Sequence, residues 1–287
     1  MNLKVKIKKI IYSILNKVGY KIIGTKKKVS NNDFDSIVKF LIQREKEENE
    51  KIFFDVGANI GQSIKRFLEL DPKARIHSFE PTPRLVEKLK EKFGNLKNIT
   101  INNFALGEKF YKLFLNDYST HKVNSFNNID EESKFHKAMS MSSKSKDNFV
   151  KKIEVNVNTL DDYCKKNKIS KIDFIKIDTQ GFEDKVLEGA SSLISKNSIK
   201  IIELELIIGF AYEKMSSFYD IEKHLNKNNY FLIAIKDSGN IISFSIFQTN
   251  LLYVNKEIFE KIRKIHSDNL DIKDVTKKIT DKYPYLY

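Results

Sequence analysis

The stretch Asp55-Val56-Gly57-Ala58-Asn59-Ile60-Gly61 combines residue types and spacing that suit a ligand turn. It follows a short apolar run, Ile52–Asp55, and precedes residues with helical periodicity. In an open α/β sheet such a strand-to-helix junction lies where ligands bind. Gly57 permits a tight turn, and Gly61 is expected to let the helix approach the sheet closely. The spacing is G-x-x-x-G, with Asn59 where a dinucleotide site has its second close glycine, so a pyrophosphate is disfavoured. A zwitterion suits the turn better. Asp55 can face an ammonium, and backbone N–H groups at the turn can hold a carboxylate, so Asp55, Gly57, Ala58, Asn59 and Gly61 are the expected cofactor contacts here.

Three further groups belong to the same edge. Glu80 stands 25 residues after Asp55, at the end of a second apolar run, where a carboxylate can accept hydrogen bonds from ribose hydroxyls. Asn103, Phe104 and Ala105 end a third run, where an adenine ring would rest. With the zwitterion site, these features describe S-adenosylmethionine, which carries an amino acid, a ribose and an adenine and no phosphate. Finally, Asp178 and Glu183 sit in Lys176-Ile177-Asp178-Thr179-Gln180-Gly181-Phe182-Glu183. Moving a methyl group from a sulfonium to a hydroxyl requires an aligned hydroxyl and a base for its proton. Asp178 and Glu183 are candidates for base or for substrate positioning, and Asp178 is also expected among the cofactor contacts. Their alternative role is to cap a helix and stabilise its first turn.

These residues need a scaffold that alternates strand and helix. Strands are predicted at Ile52–Asp55, Arg75–Glu80, Ile99–Leu106, Ile153–Val157, Asp173–Ile177, Ile199–Ile208, Tyr230–Ile235 and Phe244–Val254. Pro83 opens a helix with Leu85, Val86, Leu89 and Phe93 on one face, and Thr159 is placed to cap another, with Asp161 and Asp162 in its first turn. The alternation implies a doubly wound α/β fold with a mostly parallel seven-stranded sheet, its last two strands an antiparallel pair at the edge. Residues 107–150 break the rhythm and read as a hairpin around Tyr111–Leu115 followed by a long, mobile loop that selects the acceptor.

The pieces Phe54-Asp55-Val56-Gly57-Ala58-Asn59-Ile60-Gly61, Phe79-Glu80-Pro81, Asn103-Phe104-Ala105-Leu106-Gly107, Thr159-Leu160-Asp161-Asp162, Lys176 to Ala190 and Ile202-Glu203-Leu204-Glu205 together resemble the FkbM family of methyltransferases. The resemblance covers roughly residues 50–255, and Gln180 stands where many members carry glutamate. It implies a Rossmann-like class I methyltransferase fold, S-adenosylmethionine as cofactor and O-methylation, often of sugars in glycans, polysaccharides or natural products. It does not identify the acceptor.

Composition sets limits on partners. The net charge of +13 looks like a nucleic-acid signal until it is located: residues 1–30 hold nine lysines and no Asp, Glu or Arg, so the other 257 residues carry +4. An RNA methyltransferase is therefore the disfavoured alternative, and a non-catalytic nucleotide-binding module is another. Ile7, Ile10, Ile11, Ile14, Leu15 and Val18 share one helical face. Residues 1–30 thus read as a basic segment with an amphipathic helix, docked on its own domain or lying through residues 1–23 on an anionic membrane surface. Residues 31–255 are expected to form the methyltransferase domain, and 256–287 a polar helical tail. No apolar run is long enough to span a bilayer, and the single cysteine, Cys164, excludes an intrachain disulfide. A cytoplasmic location is the expectation. The five histidines show no metal-ligand spacing, His77 reads as packing, His121 and His136 as loop residues, and Cys164 as inert.

Overall fold

The computed structural model describes residues 34–44, 50–118, 124–129, 150–208, 211–237 and 248–269. The chain divides after Phe40 into two compact units. The described part of the first belongs to the helix α1 (Phe34–Arg44). The segment expected to form the basic N-terminal helix, most of the long loop with His121 and His136, and residues 270–287 lie outside the described residues.

The second unit is built on a seven-stranded sheet. Its strands, in chain order, are β1 (Ile52–Val56), β2 (Arg75–Phe79), β3 (Ile99–Asn102), β7 (Ile172–Ile177), β8 (Ile199–Ile207), β9 (Phe231–Asp237) and β10 (Gln248–Val254). They lie in the order β3-β2-β1-β7-β8-β10-β9. β10 is antiparallel to both neighbours, and the remaining pairings are parallel. The strand order reverses between β1 and β7, and at such a switch point the loops leave in opposite directions and open a crevice.

Two predicted strands change. The run expected at Ile99–Leu106 is divided: β3 stops at Asn102, and Ala105–Leu106 (β4) joins a separate three-stranded sheet with β5 (Tyr111–Tyr118) and β6 (Val150–Asn158), in the order β4-β6-β5. Asn103 and Phe104 are the link that lets the backbone leave one sheet for the other. Tyr111–Leu115 is not a local hairpin. β5 instead pairs antiparallel with β6 from Tyr111↔Val157 to Tyr118↔Val150.

The sheet is covered on both faces. Phe54, Ile175 and Ile202 are neighbours in register, and with Phe79 they bury against α4 (Leu160–Lys166), α5 (Glu183–Glu188), α6 (Ser191–Ser195) and α7 (Phe218–Leu225). On the other face Phe53 and Phe174 meet Phe67 of α2 (Gln62–Leu70) edge-on or tilted, with ring centroids 5.1–5.8 Å apart, a favourable aromatic geometry. α3 (Pro83–Phe93) begins at a proline, where the missing N–H costs no helical bond. The Thr159 side chain caps α4 by accepting from the Asp162 N–H at 3.1 Å. Lys256–Asn269 forms the helix α8.

Candidate active site at the carboxyl edge of the sheet

Register places a row of polar side chains across the central strands. Ser78 of β2, Asp55 of β1, Lys176 of β7 and Glu203 of β8 are successive neighbours, so period-2 alternation turns them all to the same face. Arg66 of α2 closes the row with a fork on Glu203, its Nη1 lying 3.0 and 2.9 Å from the two carboxylate oxygens. Among the described residues Asp55 is the acid of this row left without a hydrogen bond. Like its neighbour Ser78 it is fully buried, and, as with the Ser78 hydroxyl, neither carboxylate oxygen has a partner in bonding geometry among the described residues. Burial pushes its pKa up to about 7. Lys176 opposes that shift, the Asp178 charge adds to it, and the nearby Ser63 hydroxyl and Glu80 weigh less.

Gly57 begins the turn with φ +86°, and a Cβ there would lie 2.0 Å from the Asp178 carbonyl oxygen. Glycine is thus required on two counts, by the left-handed backbone and by the close approach of the β1 and β7 ends. The turn does not use its N–H groups as the sequence suggested. Gly57 and Ala58 both donate to the Phe79 carbonyl at 3.0 Å, and Asn59 donates to Glu80 Oε2 at 2.8 Å, so these donors are committed to the turn itself rather than to a ligand carboxylate. Gly61 is also revised. The space beside it is filled by Phe93, 2.3 Å from an added Cβ, and by Leu89, so it admits α3 rather than the sheet.

Glu80 lies just past β2, buried, with Oε1 accepting from the Thr82 N–H at 2.9 Å and Oε2 from Asn59. Burial raises its pKa against these bonds. A carboxylate has about four lone-pair positions, so each oxygen keeps capacity for a hydroxyl donor. Asn103 is exposed, and its amide donates to the Glu80 and Pro81 carbonyls at 3.2 and 3.0 Å, fixing the corner beside Glu80. Phe104 is half-buried against Phe79 and Tyr163, with centroids 5.6 and 6.0 Å away, while Ala105 is buried in the second sheet. Arg84 on α3 forks Asp117 at the end of β5, and Asn124 donates to Asp117 at 2.9 Å, tying the flanks of the long loop to the same corner.

Asp178 sits one residue past β7 and donates its N–H to the Val56 carbonyl at 2.9 Å, which brings it beside the Gly57 turn. Its Oδ2 accepts from Lys176 Nζ at 2.7 Å and its Oδ1 from Gln180 Nε2 at 3.0 Å. Burial works against its ionisation, but the Lys176 ammonium and these bonds outweigh it and hold the carboxyl below its usual range. Of the helix-end alternative, the Asp178 cap does not apply, since α5 starts after Phe182 without a side-chain cap, but Glu183 does stand in the first turn of α5. It accepts from the Thr179 N–H and hydroxyl at 2.9 and 3.0 Å and from the Gly181 N–H at 3.1 Å. It is buried, which pushes its pKa up to about 7, and it is spent on holding the loop.

The edge also holds groups that sequence spacing did not single out. Gln180 Nε2 reaches Glu205 Oε2 at 2.9 Å, Gln248 Nε2 reaches Glu205 Oε1 at 3.1 Å, and the Tyr212 hydroxyl reaches Gln180 Oε1 at 3.1 Å. Glu205 stood in a quoted stretch, but its partners lie 25 and 43 positions away, beyond any local motif. His77 and Cys164 pack as expected. The imidazole lies 2.8 Å from the Tyr163 hydroxyl, burial draws its pKa down to about 4, and burial pushes the Cys164 thiol up to about 12.

A family model described as Methyltransferase FkbM domain matches residues 55–232, from the Asp55 carboxylate to the start of β9. The chain belongs to the FkbM methyltransferase family. A curated relative of this FkbM chain is the 2-O-methyltransferase NoeI of Sinorhizobium fredii (strain NBRC 101917 / NGR234), 28% identical over 153 residues. That match covers 52% of this chain and 61% of NoeI, so the chain spans about three fifths of that relative's length. Similar solved structures include a methyltransferase FkbM from Methylobacillus flagellatus KT, 16% identical with a TM-score of 0.46, covering 71% of this chain and 43% of that one. Another is the magnesium protoporphyrin IX methyltransferase ChlM of Synechocystis PCC 6803, solved with bound SAM, 12% identical with a TM-score of 0.41 and covering 87% and 97%.

Proposed function

We propose that this FkbM domain transfers a methyl group from S-adenosylmethionine to a hydroxyl of a sugar-containing acceptor. The observation that carries the reading is the Asp55 carboxylate, buried at the switch point with no hydrogen-bond donor in bonding geometry among the described residues. The nearby Lys176 ammonium offsets only part of the cost of burying that anion, and a ligand cation relieves the rest. The ammonium of an amino acid suits it. Glu80, with a lone pair left on each oxygen, suits the ribose hydroxyls, and Phe104 offers a half-buried ring edge for the base. When bound, the cofactor supplies an electrophilic methyl group.

The acceptor class rests on two supports. The relative NoeI is named a 2-O-methyltransferase. The crevice beside the Asp55 turn is lined by carboxylates and amides (Asp178, Gln180, Glu205 and Gln248), which suit hydroxyl-rich ligands. Asp178 and Glu183 enter this reading as positioning groups, because both are already bonded to fixed donors. A membrane-borne acceptor met through residues 1–23 extends the proposal. Flotation of the full chain with anionic liposomes at low salt tests that extension.

Calorimetry with S-adenosylhomocysteine tests the cofactor, and no heat from well-folded protein would end the proposal. Labelled methyl transfer onto cell-envelope glycan fractions, with mass spectrometry of the product, tests the acceptor. Binding without transfer to any fraction would favour the non-catalytic module. Label on RNA instead would favour the RNA methyltransferase.

A further inference from the structure

Gln180 adopts a left-handed backbone at φ 55°, followed at once by Gly181 at φ 95°. A non-glycine residue there carries strain of order 1 kcal/mol, which persists only where surrounding bonds enforce it. Three bonds do so. The Ser125 hydroxyl donates to the Gln180 carbonyl at 2.7 Å, the Asn127 amide donates to the Gly181 carbonyl at 3.1 Å, and the Tyr212 hydroxyl holds Gln180 Oε1. The carboxylates, which only accept when ionised, fix which end of the amide is nitrogen, and the Tyr212 hydroxyl then donates to Oε1. One N–H goes to Asp178 and the other to Glu205. The amide thus has no donor left, and it bridges two acids that also lie within hydrogen-bond reach of each other, Glu205 being the member that holds its proton longer.

The two acids are held differently. Asp178 is paired with an ammonium 2.7 Å away and the Gln180 amide. Glu205, only half-buried, receives neutral amides on both oxygens, from Gln180 and Gln248, among the described residues. A carboxylate locked to a cation is a poor proton acceptor, whereas one held by neutral donors keeps its basicity and a free lone pair on each oxygen.

We propose that Glu205, and not Asp178, takes the proton of the acceptor hydroxyl, with Lys176–Asp178 as a fixed charge pair and Gln180 as the amide that ties the two acids together. The inference rests on the methyl-transfer reading above. As the acceptor oxygen gains the methyl carbon, the O–H electron pair stays on oxygen and the proton passes to Glu205. The C–S electron pair stays with sulfur, leaving a neutral sulfide, and Glu205 later returns the proton to solvent. Its basicity agrees. Burial, then the Asp178 charge, pushes the Glu205 pKa up to about 8, against the pull of Lys176. The titratable groups facing it are Lys176 of β7, Asp178 just past it, Glu183 of α5 and Tyr212, while β10 contributes the neutral Gln248. A base matched to neutral pH is worth about 10²–10⁴ in rate.

The test uses the full chain with ¹³C-labelled glutamate. Carboxyl resonances are followed by NMR from pH 4 to 10 in the wild type and in Glu205→Gln. The expected result is one glutamate titrating near pH 8 that is missing from the variant, with S-adenosylhomocysteine affinity within about twofold and methyl transfer reduced about 100-fold or more. A Glu205 resonance titrating below pH 6 overturns the proposal, and so does a variant that transfers at the wild-type rate. Should Glu205→Gln not fold, Gln248→Leu gives the second readout. It removes a donor from the ionised form, so the same resonance must move to higher pH, and no movement overturns the assignment. The carbohydrate assay judges the sugar reading, and the titration judges Glu205.

Discussion

Two aspartates stand at the ends of neighbouring strands, and the structure treats them in opposite ways. Asp178 is saturated by Lys176 and Gln180. Asp55, one strand over, is more deeply buried and has no donor among the described residues. A protein gains stability from the first arrangement and gives some up in the second. The contrast supports the proposal in which Asp178 holds the folded scaffold and Asp55 is completed by a ligand cation.

The largest effect is expected on ligand binding. Asp55→Ala should weaken S-adenosylhomocysteine by about 2–5 kcal/mol, as truncating one side of a buried charge contact does. The wild-type affinity should itself depend on pH. Since the Asp55 pKa is raised to about 7 and the ligand ammonium needs the anion, affinity should climb between pH 5.5 and 7, approaching tenfold per pH unit, and level off above pH 8. Calorimetry across that range would show a flat profile if Asp55 were ordinary.

Next comes the junction that joins the two strands. Gly57→Ala puts a methyl 2.0 Å from the Asp178 carbonyl in a left-handed conformation. It should cost about 2–4 kcal/mol, read as a lower denaturant midpoint with unchanged slope. The sharpest division is one of sign. Asp178→Asn should destabilise the ligand-free protein by about 1.5–3 kcal/mol at pH 8. Asp55→Asn should stabilise it there, because a carboxyl with a raised pKa binds its proton more tightly when folded and costs stability as pH rises through about 4 to 7. The Asp55→Asn gain should vanish near pH 4, and equal, same-signed changes at pH 8 would remove the contrast. The smallest effect lies away from both acids. Thr159→Ala removes the α4 cap and should cost about 1 kcal/mol without altering ligand affinity.

Much of this edge was legible because it is local. An apolar run ending in Asp-x-Gly, or in Glu-Pro, marks a strand end by turn chemistry alone, and Asp55, Gly57, Glu80 and Asp178 fall at or just past strand ends as predicted. Thr159 and Pro83 announced their helices in the same way. What escaped depends on distance along the chain. Asn102-Asn103, turn-favouring residues, mark where the backbone changes sheets, but the apolar Phe104–Leu106 that follows makes Ile99–Leu106 look like one strand. β5 and β6 pair across more than thirty residues, a register no window contains. The committed turn N–H groups were missed because their acceptors, the Phe79 carbonyl and the Glu80 carboxylate, belong to the end of another strand. The Gln180 bridge was missed because its amide joins acids on two strands and a tyrosine beyond both.

The place of β10 sets an order of assembly. This strand lies between β8 and β9, and it brings Asn250 to Glu203 at 3.1 Å and Gln248 to Glu205. A nascent chain emerging from the ribosome can lay down β1, β2, β3, β7 and β8 early, yet both glutamates then stand on an open sheet edge without those amides. Their polar side chains, Glu203 already held by Arg66, leave that edge unlike an apolar one while the gap lasts. The edge is filled only when residue 254 has cleared, so the polar crevice is the last part of the sheet to be finished.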